Sequence, residues 1–139
     1  MGTVQQFPVQ GNPTTVPAAA LAGVLRRAVD AKVGPEASFA EREVAALALA
    51  NDATRRFLED DLLALVDRHG DHLEVDGACY KRHELGTVRY YTLCGTIDLA
   101  RWTYRGMGVH NGPTVVPVEL EAGLVERTTP ALGLRIMLG

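Results

Sequence analysis

Along this chain the spacing of apolar residues changes twice: it is helical up to about residue 69, alternating after Gly70, and helical again near the end. The first helical stretch is Ala- and Leu-rich and runs from Pro17 to Val33, with Thr14 or Thr15 available as cap and Pro17 tolerated in the first turn. Gly34-Pro35 ends it. The second starts at Ser38-Phe-Ala-Glu41, where the Ser hydroxyl and the Glu carboxylate satisfy each other's orphan amides, a box worth about 1 kcal/mol. It continues to about His69, and Gly70 is expected as its C-terminal cap.

Within the second helix Leu47, Ala50, Phe57, Leu58, Leu62, Leu65 and Val66 form one apolar stripe, and Arg42, Asn51, Asp52, Arg55, Glu59 and Asp60 fall mainly elsewhere. Helices in compact domains average about a dozen residues. At roughly thirty residues this helix is more than twice that length, and its long stripe predicts a partner chain or a missing domain, so Leu47, Phe57, Leu58, Leu62 and Leu65 are the expected oligomerisation residues.

After Gly70 the period becomes 2, as in strands. His72–Val75 is a short strand, and Thr87–Leu93 and Thr96–Tyr104 flank Cys94-Gly95 as a hairpin. With Cys94-Gly95 as the loop, Leu93 faces Thr96, Tyr90 faces Leu99, and Val88 faces Arg101. Val88, Tyr90, Ile97 and Leu99 then share the core face. The same parity turns Arg101 inward, so either a β-bulge flips it or it has a buried partner. Residues 106–117 read as a loop, and Val118–Leu124 is too short to assign. Thr128-Thr-Pro-Ala131 opens a further helix, with a Thr cap and Pro at its first position, that stops at Gly139 after fewer than three turns and reads as interrupted.

These elements predict an α+β fold, with N-terminal helices, one of them long, packed on a small antiparallel hairpin sheet and a truncated C-terminal helix. The expected divisions are a flexible leader over 1–16, a helical region over 17–70, a β-hairpin region over 71–118, and the start of a further helical element over 119–139.

Composition adds bounds. With 139 residues, 47% hydrophobic and 22% charged, the chain fits one domain. It has no run of about 18 uncharged apolar residues and no secretory leader pattern, so a cytoplasmic protein without a membrane span is expected. A formal charge of -3 argues against coating nucleic acid by bulk charge. Cys79 and Cys94, fifteen positions apart, read as reduced, partly buried thiols.

Catalytic patterns are missing. Glu59-Asp60-Asp61 are consecutive on a helix, point about 100° apart and cannot converge on one ion. His69, His72, His83 and His110 lack the spacing of a helical zinc site. Ser38, the only serine, is a cap. Cys94 has no His-plus-acid constellation near it in sequence, and Gly106-x-Gly108 opens no helix. No catalytic residue, metal site or cofactor is therefore expected in this chain.

Charge singles out one segment. From Lys81 to Arg105 lie Lys81, Arg82, Arg89, Arg101 and Arg105 against Glu84 and Asp98, a net +3, interleaved with Tyr90, Tyr91, Trp102 and Tyr104. Glu36 to Asp71 carries nine acids and four arginines, a net -5. The five basic residues are candidate DNA contacts, with arginines meeting phosphates while the aromatics stack or pack. The alternative is cross-strand packing that neutralises the acidic helix.

The motifs from residue 70 onward resemble the N-terminal region of ISKra-type insertion-sequence transposases. The pieces are Thr92-Leu-Cys-Gly-Thr-Ile97, Arg101-Trp-Thr-Tyr104, Pro117-Val-Glu-Leu-Glu-Ala-Gly-Leu124 and Thr128-Thr-Pro-Ala131, in the family's order. The resemblance implies a DDE recombinase in which an RNase H-like domain, downstream of this region, holds three carboxylates around two Mg²⁺ ions. None of those carboxylates is assigned here. Relatives carry a Cys pair in the loop after the hairpin, where this chain has Gly106-Met-Gly-Val-His-Asn-Gly112, a departure that removes the ligands of a zinc ribbon. The resulting expectation is a non-catalytic transposase region that engages the double-stranded DNA of transposon ends, other transposase subunits or a second copy. A free-standing short DNA-binding or regulatory protein derived from a transposase is one alternative, and a helix-mediated dimerisation protein is another.

Overall fold

The computed structural model describes residues 15–108 and 112–139. The fold is α+β, with four helices and one four-stranded antiparallel sheet in the order β1-β2-β3-β4. The helices are α1 (Thr15–Val33), α2 (Phe39–Asp67), α3 (Pro117–Ala122) and α4 (Pro130–Leu138). The strands are β1 (His72–Val75), β2 (Ala78–Thr92), β3 (Gly95–Gly106) and β4 (Thr114–Val115). Most of the expected leader, the candidate cap Thr14 and His110 lie outside the described residues. The chain divides into two compact units, Met1–Asp52 and Ala53–Gly139.

In the first unit α1 and the opening of α2 are joined by a turn that three local devices fix. Gly34 adopts φ 89 and donates its N–H to the Asp30 carbonyl at 2.9 Å, closing α1 in the left-handed conformation that glycine allows. The Ser38 box forms as its spacing predicts: Glu41 N–H donates to Ser38 Oγ at 3.1 Å, and Ser38 N–H to Glu41 Oε1 at 2.9 Å. Arg42 then spans the turn, donating to Asp30 at 2.7 Å and to the Gly34 carbonyl at 3.1 Å. Behind these contacts Val29 and Ala45 are buried.

In the second unit the remainder of α2 covers one face of the sheet. Leu62 is buried together with Tyr90, Ile97, Leu99, Val118 and Leu124, and Leu58, Leu65 and Val66 pack against this cluster. Of the expected oligomerisation residues, Leu62 is buried in the chain's own core, Leu58 and Leu65 are partly buried against it, and Leu47 and Phe57 are 62% and 60% exposed.

Gly70 is not a left-handed cap; α2 ends at Asp67 with a tightened turn from Arg68 N–H to the Leu65 carbonyl. The Gly70 carbonyl instead accepts the Tyr104 hydroxyl at 2.6 Å. At the head of α4, Pro130 follows Thr129 as expected, but the Thr129 side chain forms no cap hydrogen bond.

The sheet is more extensive than alternation suggests, because β2 begins at Ala78 and part of the expected loop forms β4. Asp76-Gly77, with φ 53 and 82, makes the tight turn between β1 and β2. The β2–β3 turn lies one residue earlier than expected, at Leu93-Cys94, so the pairing shifts by two: Tyr90 faces Ile97 and Val88 faces Leu99. Thr92 sets this register, since its Oγ1 accepts the Cys94 N–H at 2.9 Å and donates to the Gly95 carbonyl at 2.8 Å. A shift of two preserves parity, so Val88, Tyr90, Ile97 and Leu99 still share the core side. One extra residue of β2 lies between Arg82 and Glu84, a bulge at His83.

Candidate nucleic-acid interface

The five basic residues of the hairpin divide into three groups. Arg101 is buried at 8% exposure, donating from Nε to the Tyr90 hydroxyl at 2.9 Å and standing 3.6 Å from Glu119 Oε2. Tyr90 in turn donates to Glu119 at 2.6 Å, and burial, then that hydrogen bond, pushes its phenol above the ordinary range. The inward parity of Arg101 is thus met by a buried partner, which removes it from any surface contact.

Arg82 and Arg89 are engaged within the sheet. The Arg82 guanidinium lies 4.7 Å from the Trp102 ring centroid, donates to the His69 carbonyl at 2.6 Å and to the Tyr104 hydroxyl at 3.2 Å, and reaches Asp71 at 3.5 Å. It fastens the exit of α2 to the sheet. Arg89 holds Asp98 by two bonds, 2.8 and 3.2 Å, directly across the strands. This pairing keeps the Asp98 carboxyl below, and the Arg89 guanidinium above, their usual ranges.

Lys81 and Arg105 differ from the other three. They are direct cross-strand partners, both exposed, and among the described residues neither has an ion-pair partner. Pleating explains why: Tyr80, Arg82 and Tyr104 turn toward α2 and its exit, so Lys81 and Arg105 point the other way. The register continues across all four strands, with His72 opposite Lys81 and Thr114 opposite Arg105, each exposed. A row His72–Lys81–Arg105–Thr114 therefore crosses one face of this end of the sheet over about 14 Å, three inter-strand spacings. The next acid on that face along β1 is Glu74, opposite Cys79.

Like charges placed directly across two strands cost about 0.2–1 kcal/mol unless an anion lies between them. The row suits an oxyanion such as phosphate: two cations with three and five donors respectively, an imidazole, and a hydroxyl at the end. Sequence reading missed His72 and Thr114. The Asp76-Gly77 turn was the signal for His72, since a two-residue turn there forces His72 opposite Lys81. Nothing in the sequence points to Thr114, because β4 has two residues.

The aromatic residues of the segment serve mainly the interior. Tyr90 and Tyr104 are buried, Trp102 stacks on Arg82, and Tyr91 is 48% exposed. Tyr91 also holds the chain before α4, since its N–H donates to the Arg127 carbonyl at 2.8 Å and its carbonyl accepts the Thr129 N–H at 3.0 Å.

Among the described residues, no group of three or more His, Cys, Asp or Glu side chains could hold a metal ion. Cys79 is exposed and Cys94 half-buried, both as free thiols. No described helix is long and apolar enough to cross a membrane. No family model, curated protein or solved structure matches the chain.

Proposed function

We propose that this chain is a non-catalytic N-terminal region of an insertion-sequence transposase that engages the phosphate backbone of double-stranded transposon DNA through the cationic row across its sheet. The observation that carries the reading is the pair Lys81 and Arg105, two exposed cations opposite each other with no ion-pair partner among the described residues. The motif order from Thr92 to Ala131 supports the transposase assignment.

Such a face positions DNA without reading it. Its long basic side chains meet phosphate oxygens, contacts that fix position and carry no base information. Binding then depends on salt, with a log-log slope of about -0.9 per neutralised phosphate. The test is a salt titration of duplex binding by the parent chain and by Lys81→Ala/Arg105→Ala. The double variant should lose about two units of slope with no change in sequence preference. Equal slopes would reject the surface.

A further inference from the structure

The first unit carries apolar residues that it does not bury. On α1, Pro17, Leu21, Val24, Ala28 and Ala31 follow one another at spacings of four, three, four and three, the period of a coiled-coil seam. On α2, Ala40, Val44, Leu47 and Asn51 repeat four, three, four. Leu21, Val24, Val44 and Leu47 are 67%, 54%, 69% and 62% exposed, whereas Val29 and Ala45 are buried and the Asp30–Arg42 pair links the two helices.

Charge indicates which partner fits. α1 holds Arg26, Arg27 and Lys32 against Asp30, a net +2. The opening of α2, through Asp52, holds Glu41, Glu43 and Asp52 against Arg42, a net -2. The unit is thus self-complementary: a two-fold axis that lays α1 of one copy on α2 of the other matches opposite charges twice and covers both seams.

We infer that the first unit is a dimerisation module, joining two copies of this chain as a four-helix bundle with α1 against the partner's α2. Asn51, the polar residue in the α2 seam, fixes the register, as a single polar position does in coiled coils. The bundle forms whether or not the sheet binds DNA.

Sedimentation velocity of the full chain tests this. At tens of micromolar the parent should have twice the chain mass. Leu21→Glu and Leu47→Glu should each raise the dissociation constant about a hundredfold or more, because each substitution removes two leucines from the interface. Both residues are exposed in the single chain, so circular dichroism should report unchanged helix content. Lys81→Ala/Arg105→Ala should leave the mass unaltered, which separates failure here from failure of the DNA reading. Added salt should weaken the dimer by screening the α1–α2 attraction. A monomeric parent would overturn the inference, as would either Glu variant retaining the parent's mass. A dimer tightened by salt would place α1 against α1 and overturn the arrangement, and dimerisation only after removal of residues 1–14 would make that segment the occupant.

Discussion

Arg101 donates from Nε to the Tyr90 hydroxyl over 2.9 Å, an interior bond between adjacent strands that Glu119 of α3 completes from the other side. An arginine at this position is tolerated because both partners are in place: Tyr90 relays to the carboxylate at 2.6 Å, and the guanidinium stands 3.6 Å from the same oxygen. Removing one member leaves the others buried without compensation. Arg101→Ala should lower unfolding stability by about 3 kcal/mol, and Tyr90→Phe by about 1–3 kcal/mol. Urea denaturation of both variants measures this; an unchanged Arg101→Ala midpoint would refute the network.

The same network carries a pH signature. Burial and the Glu119 bond raise the Tyr90 phenol above its unfolded value, so the folded chain holds this proton more tightly than the unfolded one. That stability is fully present below the unfolded tyrosine range, about pH 10, and is lost as pH rises through the folded value. Stability followed from pH 9 upward should fall, and Tyr90→Phe should fall less steeply. Identical slopes would show that Tyr90 does not govern the alkaline loss.

Leu62 and Leu47 share one helix and meet opposite fates. Leu62 is 7% exposed in the core cluster and Leu47 is 62% exposed. Leu62→Ala should cost about 2–4 kcal/mol. In thermal melts at submicromolar concentration, where a dimer dissociates, Leu47→Ala should remain near the parent. Comparable losses would mean that the stripe is buried as one surface.

What was legible in the sequence is what local chemistry settles. The Ser38–Glu41 box, Gly34 and the start of β1 at His72 stand where spacing put them, and the inward turn of Arg101 follows from parity alone. Register was not legible, because the hairpin turn is decided by the Thr92 hydroxyl closing on Gly95. Nor was the division of the α2 stripe, since a helical period reports which residues share a face and not which neighbour covers it. The cationic row combines these two cases: its residues are visible in the composition, and their alignment exists only through three strand registers.

Glu126 and Arg127 hold φ 50 and 64 in the turn between Val125 and Thr128, which exchange backbone hydrogen bonds of 3.1 and 3.0 Å. Left-handed backbone costs a residue with a Cβ about 1 kcal/mol that glycine avoids. Arg127→Gly should therefore raise stability by up to about 1 kcal/mol, net of glycine's greater freedom when unfolded. A lower melting temperature would indicate that the Arg127 side chain contributes more than its backbone costs.

Arg82 separates the structural cations of the hairpin from the pair proposed to contact DNA. It lies one residue from Lys81, yet its donors are spent on the His69 carbonyl and the Tyr104 hydroxyl, and its plane lies over Trp102. These contacts hold the 69–71 segment, where α2 gives way to β1, so their loss should loosen the core without altering phosphate contacts. Arg82→Ala should lower unfolding stability by about 2 kcal/mol or more and leave the salt slope of DNA binding at the parent value. Arg82→Lys should not restore the stability, because an ammonium cannot stack flat on the indole while donating in two directions. Salt titrations and melts of both variants decide the matter. A slope reduced by about one unit with an unchanged melt would make Arg82 a phosphate contact and would extend the cationic row to the opposite face of β2.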